Sequence, residues 1–281
     1  MAMVTRVDIH ADKGTEEILD AAFYALCGGV WIEDEAWGVR IICYPADPDR
    51  FCAYVADSGV PVRLLTAEKE EEKDYVALVR RRFTPVKVGD LTILPPWRKP
   101  GKRGRTIVIE PGMAFGTGRH ESTKLMVKMM DLLPIEGRSV LDIGSGSGVL
   151  AVNAWLLGAS SVAALDHDPL ACDAIKKGCS LNNAPGVLMI CADIAAVKGR
   201  FDIVLANLDF ATFSLRAAEI TRMVVHEGYL VISGIEEQHA KGLSPLFEPL
   251  TLLRHRRLGD WHGFVFQKRS SLKNAFAPAS L

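Results

Sequence analysis

The stretch SVLDIGSGSGVLAVNAW, residues 139–155, decides the fold. Val140, Leu141 and Ile143 read as a buried strand, Gly144, Gly146 and Gly148 follow at alternate positions, and VLAVNAW continues as a helix. Glycines at such a corner let the backbone turn tightly and approach a ligand, while the helix start offers unpaired N–H donors. Strand, glycine loop and helix in that order open a doubly wound α/β sheet.

Further along the chain, SVAALDHD, VLMICAD, FDIVLANL and GYLVISG are strand candidates too uniformly apolar to face water on either side, and TIVIE upstream is another. Helical stretches separate them: ESTKLMVKMMDLL, PLACDAIKKGCSLNN and FSLRAAEITRMVV. TLLRHRRLGDWHGFVFQKR supplies two closing strands. The expectation is a Rossmann-like catalytic domain over 106–269, followed by a loose tail over 270–281.

Before it, residues 1–67 read as β-α-β-β-α-β: VTRVDIH, the helix TEEILDAAFYALC, a hairpin of VWIED and VRIICY, the helix DPDRFCAYVADSG and the strand VPVRLL. That order is the ferredoxin-like α+β arrangement. Residues 68–105 read as an interdomain linker that opens with KEEEKD, the start of an exposed helix, and ends in PPWRKPGKRGR, too rich in proline and glycine for regular structure. Its basic cluster of Arg98, Lys99, Lys102, Arg103 and Arg105 could touch an RNA or an acidic surface, and reads more readily as solvated, as like-charge blocks commonly are.

Bulk composition agrees with a two-domain globular protein: 281 residues, 49% apolar and 24% charged. A formal net charge of −1 provides no global field to attract nucleic acid or membrane, so no stable nucleic-acid complex is expected. Six cysteines without a C-x-x-C pair, and seven scattered histidines without an H-E-x-x-H pattern, argue against a metal centre. Read as small buried hydrophobes, the cysteines fit a reducing cytoplasm. Neither a signal peptide nor an apolar run of about eighteen residues is seen, so no membrane association is expected.

The glycine loop admits two ligand classes. A dinucleotide site wants G-x-G-x-x-G, but counting from Gly144 the third glycine falls on Val149. Asp142, two residues before Gly144, also suits a pyrophosphate poorly and a cation well. S-adenosylmethionine carries a sulfonium and an ammonium and has no phosphate. Asp166 lies about twenty residues past the loop, where an α/β nucleotide fold places the carboxylate that accepts ribose hydroxyls. Asp193 ends a third strand, near where an adenine amine would lie; it serves equally well as a helix N-cap. Asp142, Gly144, Gly146, Asp166 and Asp193 are therefore the candidate cofactor residues.

With EPGMAFGTGRHESTKL upstream and VLANLDF downstream, the chain resembles the ribosomal protein L11 methyltransferase family (PrmA). The family pattern Pro-Gly-x-Ala-Phe-Gly-Thr-Gly-x-His-x-x-Thr runs from Pro111 to Thr123. The glycine loop, Asp-x-Asp-Pro at Asp166, Ala-Asn-Leu at Ala206 and Ser-Gly-Ile at Ser233 follow in order. The resemblance implies that Thr123, Gly144, Asp166 and Asn207 contact S-adenosylmethionine. It also implies methylation of amino groups, lysine side chains and an N-terminal amine, on a large-subunit ribosomal protein docked by the small domain. The expected enzyme is a monomer. The chain departs from the family pattern at Glu110, Ser122, Tyr75 and Asp209.

Asn207, at the tip of its strand, can accept an amine N–H through its side-chain oxygen and orient the lone pair, so it is the candidate catalytic residue. A strong general base is not required. His120 near a helix start caps or packs more readily than it catalyses, and Arg119 is as well solvated as substrate-facing. Phe115 and Phe210 fit either pocket walls or core, and Trp97 either a seam or a linker anchor. The alternatives are a methyltransferase acting on another protein's lysines, a nicotinamide-dependent oxidoreductase and a non-catalytic module.

Overall fold

The computed structural model describes residues 3–12, 23, 26–28, 30–35, 38–59, 62–71, 84–101, 104–110 and 118–269. Most of the helix expected over 15–27, Tyr75, the segment 111–117 with Phe115, and the tail 270–281 lie outside them. The chain forms two compact units, Met1–Arg82 and Phe83–Leu281.

In the first unit, β1 (Met3–Ala11), β2 (Val30–Glu35), β3 (Gly38–Cys43) and β4 (Val62–Glu71) form one sheet in the order β2-β3-β1-β4. All three neighbouring pairs are antiparallel. Period-two alternation sends Val7, Ile9 and Ala11 of β1 and Val39, Ile41 and Cys43 of β3 to one face. There they meet Phe51 and Val55 of α1 (Pro48–Asp57), with Phe23 edge-on to Phe51 at 5.4 Å. Asp47 caps α1 by accepting from the Arg50 N–H at 3.0 Å. Asp8 falls on the opposite face, 1% exposed, and is held there by Arg6 and Arg40, each at 2.6 Å.

Residues 69–71 are strand rather than the start of a helix. β1 is nine residues long and offers β4 a partner as far as Met3↔Glu71. Glu68, Lys69 and Glu70 then stand opposite Arg6, Thr5 and Val4, so ladder pairing with β1 outweighs the helical propensity of KEEEK.

The second unit takes in residues expected to be linker. β5 (Val86–Val88) and β6 (Leu91–Leu94) form a hairpin around Gly89, whose φ of 56° suits the left-handed turn. β7 (Arg105–Val108), within the TIVIE region, lies parallel to β6 from Leu91↔Arg105 to Leu94↔Val108. It therefore belongs to a separate three-stranded sheet, order β5-β6-β7, and not to the central one. Val88, Leu91, Ile93 and Ile107 bury this small sheet against the main core. The carboxamide of Asn182 serves the free edge of β7, accepting from the Val108 N–H and donating to its carbonyl, each at 2.7 Å.

The central sheet comprises β8 (Ser139–Ile143), β9 (Ser161–Asp166), β10 (Val187–Cys191), β11 (Phe201–Asn207), β12 (Val224–Glu236), β13 (Thr251–Leu258) and β14 (Trp261–Gln267). Their order is β10-β9-β8-β11-β12-β14-β13, parallel from β10 to β12, with β14 and β13 antiparallel additions. Alternate residues feed the two faces. Val140 joins a cluster with α2 (Glu121–Met130), α3 (Val149–Leu156) and Ile175 of α4 (Pro169–Leu181). Leu141 and Ile143 join another with α5 (Phe210–Met223) and α6 (Ala240–Leu246). The chain winds outward from β8 to β10 and returns to place β11 on the other side of β8. Between β8 and β11, then, the strand order reverses, and at such a switch point α/β sheets place their ligands beyond the carboxyl ends of the strands.

Candidate functional site

Gly144, Gly146 and Gly148 all have left-handed backbone, with φ of 66°, 53° and 78°. A Cβ on Gly144 would come within 2.4 Å of Leu208 Cδ2, so the loops after β8 and β11 touch across the switch point. The loop is pinned to β9, because Gly144 and Ser145 both donate to the Leu165 carbonyl, at 2.8 and 3.0 Å. Gly148 caps α3 without a side chain. Asp142 supplies the missing acceptor from the preceding strand, its Oδ2 taking the Ala151 N–H at 3.1 Å.

Asp142 is wholly buried, and its Oδ1 has no partner. Burial pushes its carboxyl up to about 7, against the pull of bonds from Ser145 and the Ala151 N–H and with a smaller push from Asp166. Asp166 ends β9 at 8% exposure. Its two oxygens accept from the Gly146 N–H at 2.9 Å and the Asp168 N–H at 3.1 Å. A carboxylate has about four lone-pair sites, so each oxygen retains one acceptor position for a ligand.

Asn207 ends β11, opposite Ser233 of β12 and one residue beyond the Ala206↔Ile143 pair, which brings it level with Gly144. Its Oδ1 is buried and unpartnered. Thr123, in the first turn of α2, is 1% exposed, and its Oγ1 is likewise unpartnered. The structure thus gathers Asp142, Gly144, Gly146, Asp166 and Asn207 at the carboxyl edge of adjacent strands. Asp193 stands apart: exposed, it caps a 3-10 turn through the Ala195 N–H at 2.8 Å and pairs with Arg216 at 3.3 Å.

Several side chains take structural roles that were open in the sequence. Asp209 caps α5, accepting from the Thr212 N–H and hydroxyl, each at 2.7 Å. Burial works to raise its carboxyl, but those bonds outweigh it and hold the group below the usual range. His120 caps α2 through Ser122 and meets Trp261 edge-on at 4.3 Å. Arg119 donates to the Thr84 carbonyl at 3.2 Å. Trp97 is half-buried in the turn after β6. Phe210 stacks face to face on His239 at 4.6 Å, a partner the sequence did not suggest. Another unforeseen group is a chain in which His262, 4% exposed, bonds Glu237 at 3.0 Å and His255 at 2.7 Å. No i,i+4 spacing announces it, because strand register alone brings β12, β13 and β14 together there.

A buried polar atom without a partner is costly, about 1–3 kcal/mol, and points to a ligand that completes it. Among the described residues Thr123, Asp142 and Asn207 each carry one such side-chain atom. A buried carboxylate with one oxygen left without a partner is an acceptor suited to a cationic group rather than to a phosphate. These residues fit S-adenosylmethionine.

Comparison with known proteins agrees. Residues 47–269 match the family model described as ribosomal protein L11 methyltransferase (PrmA). The chain is similar to the ribosomal protein L11 methyltransferase of Laribacter hongkongensis, with 33% identity over 212 residues, 74% of this chain and 71% of that one. It is 34% identical to the Geobacter sulfurreducens protein of the same name over 217 residues, 75% and 72% of the two chains. Among solved structures, a ribosomal protein L11 methylase from Lactobacillus delbrueckii subsp. bulgaricus superposes with a TM-score of 0.63 at 25% identity, covering 67% of this chain and all of that one.

Proposed function

The chain belongs to the ribosomal protein L11 methyltransferase family, and on that premise we propose that it transfers methyl groups from S-adenosylmethionine to amino groups of ribosomal protein L11. The observation that carries the proposal is the trio of unpartnered buried atoms, Thr123 Oγ1, Asp142 Oδ1 and Asn207 Oδ1, on residues of the family motifs. When bound, S-adenosylmethionine supplies an electrophilic methyl on a sulfonium. Asp166 accepts the ribose hydroxyls, and Gly144 and Gly146 admit the ligand against bare backbone. Asp142 takes the cationic amino-acid end, and Thr123 completes the pocket with its hydroxyl. Asp193 lies toward the adenine side.

The acceptor nitrogen must be neutral, and a free lysine has a pKa of about 10.4. Desolvation in the site lowers it, and Asn207 Oδ1 accepts one N–H so that the lone pair points along the reaction axis. Asp209 is already committed to capping α5 and acts as no base.

For the first unit, we read the order β2-β3-β1-β4 with antiparallel neighbours as ferredoxin-like, and assign it the docking of the ribosomal protein. The enzyme acts as a cytoplasmic monomer, without a stable nucleic-acid complex. No helix among the described residues is long and apolar enough to cross a membrane. Purified L11, labelled S-adenosylmethionine and the full chain test the activity. Mass increments at lysines or the N-terminal amine are expected, and an unmodified L11 beside a labelled different protein would redirect the substrate assignment.

A further inference from the structure

Two thiols flank Asp166. Cys191 ends β10, is exposed, and pairs with Asp166 in the parallel register. Cys172, in the first turn of α4 and 3% exposed, directs its Sγ at the Asp166 carbonyl oxygen, 3.7 Å away. That same oxygen accepts the Ala192 N–H at 2.9 Å, the peptide group that follows Cys191. One carbonyl therefore gathers both cysteine segments, and the Cys191 thiol is among the groups that act on the Cys172 thiol. Cys27 and Cys43 also touch, but both are sealed in the first unit's core, at 2% and 0% exposure. Only the Cys172–Cys191 pair, among the described cysteines, joins a reachable thiol to a buried neighbour.

We propose that Cys172 and Cys191 are a modification site that closes to a reversible intramolecular disulfide and weakens cofactor binding. The oxidant is a low-molecular-weight disulfide. The Cys191 thiolate attacks one of its sulfurs, forming a mixed disulfide and releasing one thiol. Cys172 then gives its proton to water and attacks Cys191 Sγ, releasing the second thiol. Two protein thiols are oxidised and one small disulfide is reduced to two thiols. Burial, reinforced by the hydrogen bond with Cys191, pushes the Cys172 thiol up to about 11, so closure is slow at neutral pH and faster in alkali.

Closure removes the Cys172 S–H that anchors the Asp166 carbonyl and ties the end of β10 to α4. The effect on binding rests on the assignment of Asp166 to the cofactor; the disulfide itself does not. Loss of one weak anchoring bond lowers affinity by about three- to ten-fold.

The full chain is incubated with glutathione disulfide at pH 8.5, digested without reductant, and the linked peptides are fragmented to assign each sulfur. Calorimetry then compares S-adenosylmethionine binding before oxidation, after it, and after dithiothreitol. A Cys172–Cys191 link, a weaker affinity that the reductant restores, and loss of both effects in Cys191→Ser are expected. Mixed disulfide at Cys191 alone, or no link, overturns the site. A link with unchanged affinity overturns its control of binding. If the reduced chain binds no S-adenosylmethionine, the cofactor reading and that control fall together, while the peptide map still decides the disulfide.

Discussion

Replacing Asp142 with Asn tests whether its unpaired oxygen is there for a cation. Burial disfavours the charged form of this carboxyl and pushes it up to about 7. A bound ammonium needs the ionised form, so binding must expel the proton wherever Asp142 carries one. About one-eleventh of the groups are ionised at pH 6 and about three-quarters at pH 7.5, which makes affinity about eight-fold weaker at the lower pH. Up to pH 7.5 the ligand's own α-amino group stays mostly charged. Calorimetry in two buffers of different ionisation enthalpy should register about half a proton released per ligand at pH 7. The carboxamide oxygen introduced by Asp142→Asn would still accept the Ala151 N–H and cap α3, so the variant should fold, bind more weakly and lose the eight-fold factor. Stability supplies the opposite sign. A carboxyl raised from 3.8 to about 7 contributes stability that is complete below the lower value and lost as pH rises through the upper, about 4 kcal/mol in all. Without ligand, then, Asp142→Asn should melt higher than the parent at pH 8. Equal pH dependence of affinity in parent and variant would reduce Asp142 to a helix cap.

Asn207→Ala should keep most cofactor affinity and lose on the order of a hundred-fold in single-turnover methylation of L11, since its oxygen acts on the incoming amine; near-parental turnover would refute that role. Asp209→Ala should cost about 1 kcal/mol in denaturant unfolding through the lost α5 cap, and leave the chemical step unchanged at saturating cofactor. A fragment beginning at Phe83 should bind S-adenosylmethionine yet methylate intact L11 poorly, and full activity would remove the docking role from the first unit. A fragment beginning at Lys102 should be less stable, because it deprives β7 of its pairing with β6.

Much of the central sheet was readable because its strands are continuous apolar runs ending in glycine or a polar residue, as SVLDIG and FDIVLAN do. The helices that separate them carry their own caps, such as Asp168 before Pro169. What escaped reading depended on distant partners. β4 runs on through Glu71 only because β1 is there to pair with it, and VKVGDLTIL is a hairpin whose Gly-Asp turn was masked by its charged surroundings. TIVIE has the texture of a central strand, but its neighbour is β6. Within the site, residue types at strand ends were legible, whereas the bonds that occupy them were not. Asp193 had two readings, of which the structure shows the cap, and the Cys172–Cys191 contact joins residues nineteen positions apart through the register of β10 on β9.

The amide of Asn182 has a consequence for how the protein behaves in crowded solution. β7 ends its sheet, and an open strand edge is a template on which another molecule's strand can assemble. By offering Val108 one acceptor and one donor, Asn182 imitates the missing neighbour at the cost of a single side chain. Asn182→Leu, which fills similar space without either group, should leave the monomer folded but raise light scattering on concentration. Conversion of that amide to a carboxylate would act likewise, since the acid keeps the acceptor and loses the donor.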